Sequence, residues 1–420
     1  MKILGIIVEY NPFHSGHYWQ INHSKKESHC DGVMVLMSGS ITQRGDFALL
    51  NKWERTHLAL TSGVDLVCEL PFGYACQSAE AFAQGGIKIF NATGVVDVVS
   101  FGSEFGHLKP LANLAQTLVS EPDEFKTNLK EALTTGVSFA KARELAIRSF
   151  LGSEASDLLK TPNNILALEY LKALDKSHSK IRPMTVKRRG ADYHSLIPAE
   201  FLSASGIRNI LKAARIDPKS ETTSLKSLEN KLPYAINDLY LPFKNNYNPE
   251  GDKNFLNALR LQILSRDVGH LKNTPYVSEG LEHKIRDALK IAPTLDDCIN
   301  AIISKRIPQS RVRRILANRL LELDKETLSS FQAESFLPYL RVLGFTEKGR
   351  AILKQIKANT ELPIITNLKN SQFKLSPLQE KMLYYDCRAT DLHNQFYENK
   401  YCYHQDYLRH PVQIPSKIIY

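Results

Sequence analysis

Residues 3–17 read ILGIIVEYNPFHSGH, and this stretch decides the fold of the chain. Its first part, Ile3–Val8, is an apolar run with the length and composition of a strand that is buried on both faces. Two histidines three residues apart close the stretch, and a helical pattern, Trp19–Lys26, follows them. A strand that leads through a short loop into a helix is the first unit of a doubly wound sheet.

Further strands and helices alternate along the first 190 residues. Three more apolar runs have the character of buried strands: Gly32–Met37, Val64–Leu70 and Val95–Phe101. Helical patterns at Arg55–Ser62 and Ser78–Phe90 lie between them, and a fifth strand is predicted at Pro183–Lys187. This order predicts the α/β class, with a doubly wound parallel sheet of the Rossmann-like kind.

The rest of the chain is predicted to be mostly helical. Inserted helices at about 107–160 separate the fourth strand from the fifth. The pair Asn163–Asn164 is predicted to begin another helix, because an asparagine side chain accepts a hydrogen bond from an early backbone N–H. A last sheet-associated helix is predicted from Ser205. Because the composition changes near residue 217, we predict two domains, 1–215 and 216–420, the second mostly helical with a possible strand at Pro363–Thr366.

The composition indicates the class of partner and the compartment. Lys and Arg outnumber Asp and Glu by 54 to 44, which gives a formal net charge of +10 and a pI near 9.1. This balance favours a polyanionic partner without proving one. The six cysteines form no C-x-x-C pair, which argues against a zinc ribbon and a disulfide framework. The first apolar run is too short for a membrane span or a signal peptide. We therefore expect a cytoplasmic protein with no membrane partner.

The two histidines, His14 and His17, are the strongest chemical feature. They stand between the first strand and the first helix, where a doubly wound sheet binds ligands and a helix N-terminus attracts phosphate. Gly16 between them lets a ligand approach the backbone, and both rings can donate to phosphate oxygens that gain charge when the α-phosphorus is attacked. An isolated H-x-x-H pair is more often a surface feature or a metal half-site. After a first strand and Asn-Pro-Phe, we expect a nucleotide triphosphate site.

Several motifs together resemble a known family. The block EYNPFHSGH resembles the HxGH signature of class I aminoacyl-tRNA synthetases and adenylyltransferases. With it stand QRGD at Gln43–Asp46, FGSE at Phe101–Glu104, PNNILALEYL at Pro162–Leu171, SKRIPQSRVRRIL at Ser304–Leu316 and RVLGFTEKGR at Arg341–Arg350. Over essentially its whole length the chain is similar to the bacterial tRNA(Met) cytidine acetate ligases.

This resemblance implies an activity and a set of site residues. The family makes acetyl-adenylate from acetate and ATP and passes the acetyl group to the wobble cytidine of elongator tRNA(Met), leaving acetylcytidine, AMP and diphosphate. His14 and His17 would be the catalytic residues. The ATP site would take Ile7, Val8, Glu9, Tyr10, Asn11, Pro12, Phe13, His14, Ser15, Gly16, His17, Tyr18, Trp19, Gln20, Gly102, Asn163 and Arg188. Magnesium is expected wherever a triphosphate must be neutralised.

Two weaker candidates concern the phosphates and the acceptor. Ser203, Ser205 and Arg208 resemble the hydroxyl-rich helix start that binds the leaving diphosphate in this superfamily, although related sequences usually carry another hydroxyl where Gly206 stands. An ordinary helix cap with a surface arginine is the alternative. Asp46 is a weak candidate for orienting a ligand hydroxyl, a magnesium-bound water or the incoming amine, and a solvated loop aspartate is as good an explanation.

A basic segment in the second half is the candidate tRNA-binding surface. Residues 301–320 carry six cations and no acidic residue: Lys305, Arg306, Arg311, Arg313, Arg314 and Arg319. An apolar stripe runs through Val312 and Ile315, and helical spacing places Arg311, Arg314 and Asn318 on another face. We expect that face to lie on a phosphate backbone. A simply solvated face is the usual alternative for such a charge run.

Other functions are weighed against the acetate ligase. A ligase that acylates a carrier-protein thiol and an adenylyltransferase with a dinucleotide product would share the first motif, but neither needs a basic helical half. A class I aminoacyl-tRNA synthetase needs a KMSKS-type loop, which is missing after the fifth strand. A non-catalytic RNA-binding protein has no need for both histidines, Gly16, Arg188 and Arg208. A P-loop enzyme is excluded because no G-x-x-x-x-G-K-[ST] occurs.

Overall fold

The computed structural model describes residues 1–188, 202–216, 221–229, 231–278, 280–369, 374–398 and 402–415. Within these ranges the strands are β1 Ile3–Val8, β2 Gly32–Ser38, β3 Leu66–Leu70, β4 Val96–Ser103, β5 Arg182–Lys187, β6 Leu340–Thr346, β7 Ile364–Ile365 and β8 Val412–Ile414. The helices are α1 Ser15–Ser28, α2 Lys52–Thr61, α3 Phe72–Ala75, α4 Ala79–Thr93, α5 Leu108–Ser120, α6 Asp123–Thr134, α7 Phe139–Leu151, α8 Ser153–Asp157, α9 Pro162–Lys176, α10 Ala204–Ile216, α11 Glu221–Lys226, α12 Ile236–Asn246, α13 Gly251–Leu264, α14 Gly269–Lys272, α15 Leu281–Ile291, α16 Leu295–Ile302, α17 Gln309–Leu320, α18 Lys325–Gln332, α19 Glu347–Asn359, α20 Pro377–Tyr397 and α21 Gln405–Leu408.

The strands form one sheet in the order β5-β4-β1-β2-β3-β6-β7, and β8 pairs with β6. The first five strands run parallel to one another. β1 lies between β2 and β4, so the chain builds the sheet to one side of β1 and then returns to its other side. The carboxyl end of β1 is therefore the switch point at which open α/β sheets bind ligands. The predicted doubly wound parallel sheet is confirmed, and residues 9–17 lie at its binding edge.

The second half of the chain continues the same sheet. β6 pairs antiparallel with β3, with Leu66 opposite Phe345 and Glu69 opposite Arg341. β7 and β8 run parallel to β6. The possible strand at Pro363–Thr366 is confirmed as β7, whereas β6 and β8 were not predicted, so the sheet is mixed at this edge.

Two apolar cores lie on the two faces of the sheet. Alternate residues of β1 enter them: Ile3 and Ile7 belong to the larger core, and Leu4, Ile6 and Val8 belong to the smaller one. This alternation follows from the two-residue period of a strand and explains why a strand covered on both faces reads as a continuous apolar run. The larger core includes residues from both halves of the chain. The division at residue 215 stays a prediction, and both the sheet and this core cross it.

A buried ionic cluster fastens the C-terminal segment to the sheet. The Lys52 ammonium lies 2.8 Å from a Glu69 carboxylate oxygen and 2.7 Å from one of Asp406. Arg341 of β6 lies 3.2 Å from the same Asp406 oxygen, and all four side chains are at most 2% exposed. Burial alone lowers the pKa of Lys52, but the two carboxylates outweigh it and raise that pKa, so the ammonium stays charged.

The helix after the insertion does not begin as predicted. Thr161 is the N-cap of α9, and Pro162 occupies its first turn. The carboxylate of Glu104 accepts the backbone N–H groups of Asn163 at 3.2 Å and Asn164 at 2.8 Å. The prediction that an asparagine side chain caps this helix is wrong, because a glutamate from the loop after β4 supplies the oxygens that the helix start needs.

No helix among the described residues is both long enough and apolar enough to cross a membrane.

Candidate active site

The loop between β1 and α1 is held in place by three other elements. The side-chain oxygen of Asn11 accepts from the backbone N–H of Leu49 at 2.8 Å. The guanidinium of Arg208, in α10, donates to the Asn11 carbonyl at 2.6 Å. The Tyr234 hydroxyl donates to the carbonyl of Phe13. The backbone before the two histidines is therefore fixed by three separate segments of the chain.

His14 and His17 cap the helix that they begin. His14 is the N-cap of α1, and its Nδ1 accepts from the backbone N–H of Gly16 at 3.0 Å. His17 stands at the third helical position, and its Nδ1 accepts from the His14 backbone N–H at 3.3 Å. The rings stack with centroids 3.7 Å apart. Because both Nδ1 atoms accept, the proton of each neutral ring is assigned to Nε2, which leaves two N–H donors for a ligand.

Both rings stay neutral at physiological pH. Burial lowers the pKa of His14 to about 4, and the charge of Arg188 adds to this effect. Burial also holds the pKa of His17 well below its usual value, with further contributions from His14 and Arg188. Two neutral donors in a water-poor position stabilise developing negative charge through directed hydrogen bonds rather than through a net positive charge.

A small, partly open cleft lies beside these rings. Its lining comes from α1, the end of β4 and the end of β5, and consists of His14, Gly16, His17, Trp19, Gln20, Gly102, Val186, Lys187 and Arg188. A Cβ atom at Gly102 would lie 3.2 Å from Cγ of Arg188, so the glycine keeps the wall open at that point. The structure thus brings Gly102 and Arg188, which are distant in sequence, to the two histidines.

The other residues of the predicted ATP segment support the loop or face away from the cleft lining. Ile7 and Val8 lie in the cores. The rings of Tyr10 and Phe13 are buried and pack on the His17 ring, with centroid-to-centroid distances of 4.9 and 5.6 Å. The Glu9 carboxylate accepts the backbone N–H of Gln43, and the Ser15 hydroxyl donates to the carbonyl of Lys231. Pro12 is buried, whereas Tyr18 is exposed.

A hydrogen-bond chain holds Arg188 at the cleft. The Arg188 guanidinium donates to the side-chain oxygen of Asn163 at 3.0 Å. The amide of Asn163 in turn donates to the Glu104 carboxylate at 2.6 Å. Burial raises the pKa of Glu104, but the hydrogen bonds from Asn163 and Thr161 outweigh it and hold that pKa below its usual value. Glu104 therefore stays ionised and orients Asn163, a role that its place in the FGSE motif did not reveal.

The candidate phosphate site at α10 contains a formed helix cap. The Ser203 hydroxyl accepts the backbone N–H of Gly206 at 3.2 Å and shares a hydrogen bond with the Ser205 hydroxyl at 3.0 Å. Arg208, one turn further, connects α10 to the loop of the histidines. A Cβ at Gly206 would lie 3.4 Å from the Ser203 hydroxyl, an ordinary contact, so this position has room for a Cβ atom.

Asp46 is paired with an arginine of α17, and its side chain is 36% exposed. Its carboxylate accepts from Arg313 of α17 at 2.8 Å, and Arg313 also donates to Asp296 at 2.9 Å. Beside it, Gly45 has φ +85°, and a Cβ there would lie 2.5 Å from backbone atoms of Arg313 and Arg314. The loop and the helix therefore touch through their backbones, and only glycine fits this conformation and this gap.

The predicted tRNA-binding face of α17 is turned inward. Arg311 donates to the carbonyl of Tyr276 at 2.8 Å, Arg314 donates to the carbonyl of Gln43 at 3.4 Å, and Asn318 is fully buried. Arg319 is also buried. Partners from both halves of the chain therefore engage this face, and tRNA contact by it stays a prediction. Lys305 and Arg306, in the turn before α17, are exposed.

Comparison with known proteins places the chain in a family. Residues 1–407 match the family model described as HIGH Nucleotidyl Transferase. A tRNA(Met) cytidine acetate ligase of Caldanaerobacter subterraneus subsp. tengcongensis is 43% identical over 403 residues, covering 95% of this chain and 96% of the relative. A tRNA(Met) cytidine acetate ligase of Clostridium kluyveri is 40% identical over 427 residues, covering 99% of both chains.

A solved structure agrees with this placement. The crystal structure of Thermotoga maritima TmcAL bound with alpha-thio ATP has a TM-score of 0.86 and 31% sequence identity to this chain, and the match covers 99% of this chain and 100% of that one. The site geometry, the fold and the relatives agree: this chain belongs to the tRNA(Met) cytidine acetate ligase family of the HIGH nucleotidyl transferases.

Proposed function

We propose that this chain is a cytoplasmic ligase that activates acetate with ATP and acetylates the wobble cytidine of elongator tRNA(Met), giving N4-acetylcytidine, AMP and diphosphate. The observation that carries the proposal is the pair of Nε2–H donors on His14 and His17, fixed by the helix cap at the carboxyl end of β1. Relatives of the same family carry this activity in their names, and a structural neighbour is described with an ATP analogue.

The first step joins acetate to the α-phosphorus of ATP. A carboxylate oxygen of acetate attacks that phosphorus, the bond to the bridging oxygen of the β-phosphate breaks, and diphosphate leaves with the electron pair. Negative charge grows on the phosphate oxygens during this exchange. The neutral histidines donate to those oxygens, and Arg188, held by Asn163 and Glu104, adds a permanent positive charge beside them.

The second step moves the acetyl group to the RNA. The exocyclic amine of the cytidine attacks the carbonyl carbon of acetyl-adenylate, the bond from that carbon to the phosphate oxygen breaks, and AMP leaves. The amine loses one proton as the amide forms. No covalent bond to the protein is needed, and among the described residues the cleft lining holds no serine, threonine or cysteine.

The phosphates and the metal are assigned from the chemistry of the site. We propose that Ser203, Ser205 and Arg208 receive the departing diphosphate at the start of α10. Magnesium would arrive bound to the triphosphate, because this ion keeps several waters and is usually held by phosphate oxygens with few protein ligands. It would neutralise charge on the β- and γ-phosphates.

The RNA is proposed to bind along the second half of the chain. The exposed Lys305 and Arg306 are the members of the predicted basic set that remain free to meet a phosphate backbone. Arg311, Arg313, Arg314 and Arg319 are engaged within the protein or buried, so tRNA contact by them stays a prediction that now requires their rearrangement.

The test is an acetylation assay with labelled acetate. Purified protein is incubated with ATP, magnesium, labelled acetate and elongator tRNA(Met) transcript, and the RNA is digested to nucleosides. Label in acetylcytidine supports both steps. AMP and diphosphate without labelled RNA would support acetate activation with another acceptor, such as a carrier-protein thiol. Absence of both would overturn the enzymatic proposal.

A further inference from the structure

One positively charged side chain near the loop of the histidines has no role in the site described above. Arg44 is the second residue of the loop Gln43–Asp46, which follows β2. Its side chain is exposed, and within the ranges that the structure describes its guanidinium has no hydrogen bond or ion pair. An unpaired arginine next to a phosphate-binding position is available for an anionic ligand.

The backbone around Arg44 is firmly placed beside the end of β1. The Arg44 backbone N–H donates to the hydroxyl of Thr42 at 3.2 Å, and the N–H of Thr42 donates to the carbonyl of Asp46 at 2.9 Å, which closes the loop. The backbone N–H of Gln43 donates to the Glu9 carboxylate at 2.7 Å. Glu9 directly follows β1. The residue before Arg44 is therefore hydrogen-bonded to the first residue of the segment that leads to the histidines.

Arg44, Arg188 and Arg208 lie on three segments that meet near the end of β1. The loop of Arg44 is hydrogen-bonded to Glu9, Arg208 donates to the Asn11 carbonyl, and Arg188 lines the cleft with His14. Burial lowers the pKa of Arg188 and that of Arg208. The carboxylate of Glu104 opposes this at Arg188, those of Asp46 and Glu9 oppose it at Arg208, and the positive charge of Arg44 lowers both pKa values further. The charge of Arg44 therefore acts on both other guanidiniums, that of Arg188 in the cleft wall and that of Arg208 in the first turns of α10. The nearby carboxylates offset part of the repulsion among these three charges in the free protein, and a polyanion bound among them would relieve the rest.

We propose that Arg44 is a further ATP-binding residue that contacts the triphosphate, and that helix α17 sets its position. The proposal rests on the use of ATP described under the proposed function. An arginine suits this task because its planar guanidinium donates to two phosphate oxygens at once and is always charged. The same contact would follow the diphosphate as it separates from the adenylate.

Both neighbours of Arg44 in the loop are tied to α17. The Gly45 backbone meets the backbone of Arg313 and Arg314 with no room for a Cβ atom. Asp46 forms its ion pair with Arg313, and Arg314 donates to the Gln43 carbonyl. A shift of α17 must therefore carry the loop with it. Arg313 is a positioning residue on this view: it touches no ligand and acts on ATP through Arg44.

Nucleotide binding by variants of the full chain tests the contact. We expect Arg44→Ala to weaken ATP binding by about 10- to 100-fold, the usual loss for a charge-assisted hydrogen bond, and to leave adenosine binding unchanged. Arg44→Lys, which keeps the charge but not the two-pronged contact, should fall between. Arg148→Ala removes an exposed arginine from α7, outside the cleft lining, and should bind ATP like the unaltered chain.

A double-mutant cycle tests the positioning. We expect Arg313→Ala to weaken ATP binding several-fold, and Arg313→Lys to restore part of the loss because it can still pair with Asp46. In the Arg44→Ala background, Arg313→Ala should have no further effect on ATP affinity. A purely structural role of Arg313 would give additive losses in the cycle and a matching loss for adenosine. Thermal unfolding of each variant identifies any that do not fold.

The outcomes separate this inference from the proposed function. Unchanged ATP affinity in Arg44→Ala, or equal losses for ATP and adenosine, would overturn the triphosphate contact. Weaker tRNA binding with intact ATP binding would assign Arg44 to the RNA instead. A chain that binds ATP but makes no acetyl-adenylate would contradict the proposed function, and the comparison of ATP with adenosine would still decide the role of Arg44.

Discussion

Replacing His17 by asparagine separates the structural role of this histidine from its chemical role. In the structure Nδ1 accepts the His14 backbone N–H at 3.3 Å, and Nε2 is left as the donor. The side-chain oxygen of asparagine stands at about the place of Nδ1 and accepts the same hydrogen bond, but asparagine reaches no further. His17→Asn should therefore keep the helix start of α1 and remove the donor to phosphate.

The two roles differ in size. Loss of one well-placed donor to developing negative charge costs about 10²- to 10³-fold in kcat, or roughly 2.7–4 kcal/mol. Loss of a helix-capping side chain costs about 1 kcal/mol in the free energy of unfolding. We therefore expect His17→Asn and His17→Ala to lose similar catalytic rates, while only His17→Ala loses about 1 kcal/mol of stability.

Two measurements check this expectation. The rate of AMP release from ATP and acetate in the presence of tRNA gives kcat, and denaturant unfolding gives the free energy of unfolding. A His17→Asn variant that keeps the full rate would refute the assignment of Nε2 as the donor. If the two variants were equally destabilised, Nδ1 of His17 would have no part in holding the helix start.

Three further changes are predicted from the same contacts. The pKa of His14 falls from about 6.5 in the unfolded chain to about 4 in the folded chain. Between these pH values the unfolded chain binds the extra proton, so stability is lost as the pH falls. Between pH 7 and pH 5 the unaltered chain should therefore lose about 2 kcal/mol more free energy of unfolding than His14→Asn. In Gly16→Ala the new Cβ would lie 2.9 Å from the His14 ring and should displace that ring, which lowers kcat by roughly tenfold or more. Gly206→Ala makes only an ordinary contact and should keep the kcat of the unaltered chain. Equal kcat values for the two variants would refute the crowding argument. Lys52→Met leaves the buried Glu69 carboxylate without its ion-pair partner and Asp406 with Arg341 alone, and should cost about 3–5 kcal/mol of unfolding free energy in denaturant. Lys253→Met, on an exposed helix face, should leave the unfolding curve unchanged. Similar curves for both variants would show that the buried ion pair contributes nothing.

The parallel part of the sheet was predictable because its strands are covered on both faces. β1 and β2 are buried along their whole length, so their sequences are unbroken apolar runs. β6 escaped prediction because Arg341 interrupts its apolar pattern. That arginine is buried only through its contact with Asp406, a partner 65 residues away that no local pattern reveals.

The histidines were predictable from their position, but their tautomer was not. His14 and His17 occupy the two positions of a capping box, the N-cap and the third helical residue, and this spacing was visible in the sequence. Which nitrogen carries the proton depends on backbone geometry. For α17 the apolar stripe was read correctly, since Val312 and Ile315 are fully buried. The periodicity of one helix does not show what packs on its other faces.

The sheet edge shared by the two halves of the chain has a consequence for synthesis on the ribosome. Until Thr346 has been made, β3 has no partner on its outer side, because β6 is the strand that pairs there. At ordinary translation speeds of about 5–20 residues per second, the interval between β3 and β6 lasts on the order of tens of seconds. An open strand edge of this kind attracts other chains. The nascent N-terminal half should therefore need protection by a chaperone, and fragments that end before β6 should aggregate.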